Sequence, residues 1–179
     1  MGTKLLIISD MWGAKGGHWI TSYLGYLQQY YDISFYDSQQ LANLDLTVGS
    51  EDNIMDAFFN GGIDRAVTHL MAKEQEPAHI LGFGVGATIA WKAGLSGMPM
   101  ESLYAISPTR IQLEAQKPQC GHNILFGEYD LSKPTYEWAD RMCAELEIFP
   151  NFGRKLYTDE KIIQKISQDL LAQIIKKAG

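Results

Sequence analysis

Cysteine is scarce in this chain, and positive charge is in deficit. The two cysteines among its 179 residues provide neither a disulfide framework nor a metal-binding motif. Fifteen lysines and arginines face 21 acidic residues, which leaves a net charge of −6. That balance argues against binding to nucleic acid or to an anionic membrane surface, because both need a basic face. We therefore predict no metal, no cofactor, no nucleic acid and no membrane partner.

Long hydrophobic runs are also missing. No stretch approaches the roughly 20 apolar residues of a membrane span. The apolar run at residues 5–8 is too short for the core of a signal peptide, and no small-residue cleavage pattern follows it. We therefore expect a cytoplasmic protein. The length fits one domain spanning residues 1–179, and a content of 46% hydrophobic and 20% charged residues is ordinary for a globular protein.

Apolar runs of strand length alternate with helical patterns from end to end. The runs predict strands at residues 4–9, 32–36, 78–83, 102–106, 123–126 and 147–149. Helical spacing predicts helices at residues 18–30, 53–73, 86–93, 135–145 and 159–177. The second of these either runs through Gly61 and Gly62 or breaks there. This alternation predicts an α/β fold, a three-layer sandwich in which a mostly parallel central sheet of about six strands has helices on both faces.

Three glycines mark the turn between the third predicted strand and the next helix. Gly82, Gly84 and Gly86 lie at every second position, which indicates a sharp turn and a close approach of neighbouring backbone. Such turns occur in the dinucleotide motif G-x-G-x-x-G and in the nucleophile elbow G-x-S-x-G. The dinucleotide motif fits poorly, because it belongs to the first strand of its unit and its last glycine would fall at Ala87.

With the elbow interpretation, the chain resembles the α/β-hydrolase superfamily, and in particular its small esterase-like members without a cap domain. The resemblance runs from Lys4 to the end of the chain. Residues 81–87 (LGFGVGA) resemble the elbow, and residues 9–13 (SDMWG) resemble the loop that supplies an oxyanion-hole amide. Residues 125–130 (LFGEYD) are similar to the strand end with the triad acid, which would be Asp130. Residues 149–157 (FPNFGRKLY) resemble the loop that carries the triad histidine.

Two of the three triad positions implied by this resemblance are substituted. Gly84 occupies the nucleophile position, Arg154 occupies the histidine position, and no histidine follows His122. A triad needs an attacking oxygen or sulfur and an imidazole base, and neither glycine nor an always-protonated arginine supplies them. The resemblance therefore implies a protein that is not a working serine hydrolase. Asp130 either retains the acid position or simply caps a turn, and an ion pair between Asp130 and Arg154 is a further hypothesis.

A site without a nucleophile can still bind a ligand. Backbone amides at Val85 and near Met11, the dipole of the following helix and the charge of Arg154 would suit a small anion. We therefore expect a non-catalytic protein that binds either a small ligand, for which an anion is the candidate, or a protein partner. Two alternatives stay open, a hydrolase of small carboxylic esters with a non-standard residue set and a nucleotide-binding protein that uses the glycine turn. The predicted ligand-binding residues are Asp10, Met11, Trp12, His18, Val85 and Arg154.

Overall fold

A six-stranded parallel sheet forms the centre of the molecule. The computed structural model describes the backbone of residues 2–178 and the side chains of residues 2–176. The strands are β1 (Thr3–Ile8), β2 (Tyr31–Tyr36), β3 (Ala78–Phe83), β4 (Met100–Ile106), β5 (Gly121–Gly127) and β6 (Glu145–Phe149). Their order across the sheet is β2-β1-β3-β4-β5-β6, and every neighbouring pair is parallel. All carboxyl ends of the strands therefore meet at one edge of the sheet.

Helices connect the strands and cover both faces of the sheet. They are α1 (Trp19–Leu27), α2 (Ser38–Leu41), α3 (Glu51–Ala57), α4 (Ile63–Lys73), α5 (Val85–Leu95), α6 (Tyr136–Arg141) and α7 (Glu160–Ala178). Short 3-10 turns occur at Gly13–Lys15, Ile111–Leu113 and Leu156–Thr158. Parallel strands need such crossover connections, because no tight hairpin can join them. Within the described residues, no helix is both long enough and apolar enough to cross a bilayer.

Two hydrophobic layers hold the helices against the sheet. One layer joins α1 and α7 to the sheet through residues such as Tyr23, Leu27, Ile163 and Ile166. The other joins α3, α4, α5 and α6 to the opposite face. In α5 every residue from Val85 to Trp91 is buried, because this helix packs directly behind the glycine turn. The predicted α/β sandwich is therefore confirmed.

The six predicted strands all occur in the predicted order, and the five predicted helical segments each contain a helix, with errors at the ends. The break at Gly61 and Gly62 is real, since α3 and α4 are separated by a kink at Phe58–Gly62, where Asn60 and Gly61 have non-helical φ and ψ angles. The predicted helix at residues 135–145 is too long, because α6 ends at Arg141 and Cys143 adopts a left-handed φ of 51°. The short helix α2 was not predicted, although Asp37 caps it by accepting hydrogen bonds from the amides of Gln39 and Gln40.

Candidate functional site

Gly84 has the backbone conformation of a nucleophile elbow. Its φ of 55° and ψ of −124° lie outside the regions that L-residues favour. Its amide donates to the carbonyl of Ile106 at 2.9 Å, and its carbonyl accepts from the Thr109 amide at 3.3 Å. A Cβ atom at position 84 would lie 3.5 Å from the Cβ of Asp10, which is ordinary van der Waals contact. The position therefore has space for a side chain but an unfavourable φ for one.

The other two glycines of the turn are needed for close packing. A Cβ atom at Gly82 would lie 2.7 Å from the Cα of Ala87, on the helix that follows the turn. A Cβ atom at Gly86 would lie 2.2 Å from the carbonyl oxygen of Ser9, at the end of β1. The every-second-glycine pattern is thus explained by the contact of α5 with its own strand and with β1.

A buried carboxyl group lies beside the elbow. Asp10 follows β1, and its side chain is 4% exposed. One of its oxygens accepts from the Trp12 amide at 3.1 Å, and the other accepts from the Tyr157 hydroxyl at 2.8 Å. Tyr157 is equally buried and packs against the rings of Trp19 and Phe83. The predicted oxyanion loop and the predicted histidine loop therefore meet through this hydrogen bond.

Burial changes the acidity of both partners. It raises the pKa of the Asp10 carboxyl, and the hydrogen bonds from Tyr157 and Trp12 and the charge of Lys155 offset this only in part. Burial also raises the pKa of the Tyr157 hydroxyl, and the negative charge of Asp10 adds to that effect. Raised pKa values of buried carboxyl groups occur at functional sites and also in buried structural hydrogen-bond networks.

The raised pKa of Asp10 predicts a pH-dependent effect of the variant Asp10→Asn. A carboxyl whose pKa is higher in the folded state holds its proton more strongly there, so stability falls as pH rises through the folded pKa. Below the ordinary value of 3.8 the group is protonated in both states. We therefore expect Asp10→Asn to raise the melting temperature at pH 7–8, and the gain to shrink toward zero as the pH approaches that value.

Thermal melts between pH 4 and pH 8 measure this effect. The matched control is Asp56→Asn on the exposed side of α3, which should change the melting temperature little at any pH. A gain from Asp10→Asn that stayed constant across this range would show that Asp10 does not titrate differently in the folded state.

Two cationic side chains lie at the surface of the loop that contains Tyr157. Arg154 and Lys155 are exposed, and neither forms an ion pair with any side chain that the structure describes. The Lys155 ammonium lies 6.0 Å from the ring centroid of Trp12. The charge of Arg154 reaches the Tyr157 hydroxyl, whose pKa is raised mainly by burial and lowered in part by Arg154. The outer rim of the site is therefore cationic, above a buried carboxyl.

Asp130 caps a turn after β5. One carboxylate oxygen accepts from the amide and the hydroxyl of Ser132, at 3.0 and 2.6 Å. The other is buried and has no hydrogen-bond partner among the described residues. Asp130 and Arg154 form no ion pair in this part of the chain, so the hypothesis of such a pair is not supported. The predicted acid position thus retains a buried carboxylate without a basic partner.

The histidines do not complete a triad. His18 is exposed at the start of α1, where its backbone carbonyl accepts from Thr21. His79 and His122 lie near the amino ends of β3 and β5, at the sheet edge opposite to the elbow. His69 is exposed on α4 and contacts the carbonyl of Leu41.

The serines at strand ends bind backbone. The Ser9 hydroxyl contacts the Asp10 carbonyl and the Ser38 amide, and the Ser107 hydroxyl donates to the Arg154 carbonyl at 2.8 Å. These contacts hold neighbouring loops together, so neither hydroxyl is paired with a base that could activate it.

Two residues of the site were not predicted. Tyr157 was part of the loop compared with the triad histidine, but no role was assigned to it. Thr109 lies with its hydroxyl 3.9 Å from the place of a Cβ atom at Gly84. In the sequence, the one indication of a role for Thr109 is its position shortly after the fourth predicted strand. Parallel sheets bind ligands at the carboxyl ends of their strands.

Comparisons with known proteins identify the fold. No protein-family model matches the chain, and no curated protein gives a significant match. A hydrolase of the alpha/beta superfamily from Xanthomonas campestris pv. campestris superposes with a TM-score of 0.69 at 16% identity, covering 96% of this chain and 99% of that one. A CIB-like hydrolase from Thermoplasma acidophilum gives a TM-score of 0.69 at 16% identity, covering 94% and 86%. Est1E from Butyrivibrio proteoclasticus gives 0.66 at 13% identity, covering 97% and 89%.

Proposed function

We propose that this chain, which has the α/β-hydrolase fold, is a non-catalytic protein that binds a small anionic ligand at the carboxyl edge of its sheet. The observation that carries the proposal is Gly84, a residue without a side chain at the tip of a well-formed elbow. In an active hydrolase of this fold, the residue at this point of the elbow is the nucleophile, and glycine has no side chain that could act as one. No histidine follows position 122 in the sequence, so the loop that would carry the base also lacks it.

The charge distribution at the rim supports an anionic ligand. Arg154 and Lys155 are exposed and unpaired with respect to the described side chains. Of the first four amides of α5, those of Ala87 and Thr88 donate to the Gly84 carbonyl, and those of Val85 and Gly86 have no preceding helical turn to accept their hydrogen bonds. The carboxyl of Asp10 is turned into the protein and makes hydrogen bonds through both oxygens. A ligand approaching from solvent therefore meets cations first, and its anionic group would lie near Met11 and Val85.

Ester hydrolysis tests the non-catalytic part of the proposal. We expect the purified chain to hydrolyse short-chain p-nitrophenyl esters no faster than the uncatalysed rate. The variant Gly84→Ser should be equally inactive, because a hydroxyl without an imidazole is a poor nucleophile at neutral pH. Turnover by the unaltered protein that is lost in Asp130→Ala would contradict the proposal.

Ligand-induced stabilisation tests the binding part. A ligand that binds only the folded state raises the melting temperature with its concentration. We expect inorganic phosphate or acetate to do so for the unaltered chain, and the double variant Arg154→Gln, Lys155→Gln to abolish the effect. The matched control is Arg141→Gln, an exposed arginine at the end of α6. Stabilisation by AMP or NAD, with none by simple anions, would favour the nucleotide-binding alternative.

One observation favours a second candidate function, a hydrolase of small esters with a non-standard residue set. Asp10 is a buried carboxyl with a raised pKa, and its Cβ lies 3.5 Å from where a Gly84 side chain would begin. Such a group can act as a general acid or base. In this case ester turnover would be measurable and would disappear in Asp10→Asn, while the folded structure would persist.

A further inference from the structure

A cavity lies beside the elbow helix α5, at the same end of the sheet as Gly84. Its volume is about 340 Å³, and its walls come from the start of α4, the first turns of α5 and the segment after β4. The apolar lining includes Phe59, Ile63 and Leu113. Thr88 and Lys92 line it from α5, one and two turns beyond Gly84. This size is at the lower end of the range for small-molecule sites.

Unusual backbone conformations flank this cavity on two sides. On one side, the kink at Phe58–Gly62 contains Asn60 in a non-helical conformation and Gly61 at a φ of 102°. On the other side, Arg110 adopts the left-handed region with a φ of 56° and a ψ of 28°. The left-handed conformation of a non-glycine residue such as Arg110 costs on the order of 1 kcal/mol or more, and such residues are concentrated at functional sites. Gly61 carries no such cost, because glycine adopts a positive φ freely. Arg110 is therefore the strained residue of this cavity wall.

Arg110 is held by an aromatic ring instead of a carboxylate. Its guanidinium carbon lies 3.5 Å from the ring centroid of Phe59, in a cation–π contact. No carboxylate among the described side chains lies within 4.0 Å of it. Stacking fixes the plane of the guanidinium while leaving its N–H groups available. A planar fork of that kind matches a carboxylate in a bidentate arrangement.

Arg110 is the charged residue of the cavity best placed to bind an anion, because the charges of the other lining residues are at least partly compensated. Lys92 is paired with Glu114 at 2.7 Å, so the two charges compensate each other. Asp64 also lines the cavity, from the first turn of α4, where the positive end of the helix dipole offsets part of its charge.

The cavity also connects to the elbow. The Thr88 hydroxyl donates to the Thr109 carbonyl at 2.7 Å, and the Thr109 amide donates to the Gly84 carbonyl. The cavity is therefore a neighbour of the elbow site with its own lining residues.

We propose that this cavity binds a small monocarboxylate with a planar apolar body. The carboxylate pairs with Arg110, and the apolar body lies between Phe59, Ile63 and Leu113. This site goes beyond the function proposed above, because it shares neither Arg154 nor Lys155 nor the amides at Val85 and Met11. Its ligand is selected by apolar contact as well as by charge, so a neutral analogue of the same shape binds more weakly.

The test uses 3-phenylpropionate and its neutral analogue 3-phenylpropanol as probes in an NMR titration of the full-length chain. We expect saturable shifts of the amides of Phe59, Thr88 and Leu113. Arg110→Gln should raise the Kd for 3-phenylpropionate at least tenfold, and Phe59→Leu should also weaken it. The matched control Arg141→Gln should stay within twofold. For 3-phenylpropanol we expect a Kd at least tenfold higher.

Three results would overturn the inference. They are the absence of saturable shifts at these amides, an unchanged Kd in Arg110→Gln, and equal affinity for both probes. Shifts that cluster instead at Asp10 and Tyr157, and that Arg154→Gln removes, would overturn it while supporting the function proposed for the elbow site. The two proposals can therefore fail independently.

Discussion

Replacing Gly86 with alanine is expected to lower the free energy of unfolding by at least about 3 kcal/mol. The new Cβ atom would lie 2.2 Å from the Ser9 carbonyl oxygen and 2.6 Å from that of Ile8. Both are main-chain atoms at the end of β1, which is paired on both sides with β2 and β3, so neither can move without disturbing the strand. Relief would require α5 to move away from β1, which would open the buried layer formed by Ala87 and Trp91.

Urea denaturation measures this effect, with Gly25→Ala as the matched control. Gly25 lies in α1 and has no atom within 4 Å of the place of a Cβ, so alanine should stabilise the helix by about 0.5–1 kcal/mol. The two alanine variants thus have opposite expected signs. If Gly86→Ala were as stable as the unaltered chain, the close contact between the elbow helix and β1 would be wrong.

The fold could be predicted because its signals are local. The strand β3 is a continuous buried run, and the bounds predicted for it match those observed. The stripe of Ile162, Ile163, Ile166 and Leu170 gave the last helix in the same way. At the end of the helix predicted for residues 135–145, by contrast, a single residue marks the error. Cys143 ends the α6 region in a left-handed conformation, and nothing in its sequence neighbourhood required this.

The site was only partly predictable because its contacts are long-range. The resemblance predicted that Asp10 lies in the oxyanion loop and that residue 157 lies in the histidine loop. It did not predict the hydrogen bond between them, whose partners are 147 positions apart in the sequence. Arg110 was not identified at all. The feature that distinguishes it is the stacking of its guanidinium on the Phe59 ring. This contact forms only because the helix breaks at Gly61 and because the turn after β4 brings Arg110 to the same place. Such a pairing has no periodicity, so pattern analysis does not detect it.

The Asp10–Tyr157 hydrogen bond joins the segment after β1 to the segment after β6. In the fold, the loop after the last strand would carry an imidazole toward the nucleophile. Here that loop instead anchors itself through Tyr157, whose carbonyl also accepts from the Tyr23 hydroxyl at 2.9 Å. The loop is therefore fixed both to α1 and to the segment after β1, which contains Asp10. These contacts support the turn at Gly84, which the resemblance compares with a nucleophile elbow.

The variant Gly84→Ser tests this interpretation most directly, and we expect it to destabilise the fold by about 1–3 kcal/mol. The cost is conformational: a Cβ atom there meets nothing closer than 3.5 Å, but a φ of 55° with a ψ of −124° is unfavourable for serine. Gly84→Ala should therefore cost about the same, whereas Gly25→Ser in the open helix should cost nothing. Thermal and urea unfolding of the three variants measure this. Equal or higher stability of Gly84→Ser would contradict the elbow assignment. A loss specific to serine and absent in alanine would show instead that the hydroxyl, and not the backbone, is what the site rejects.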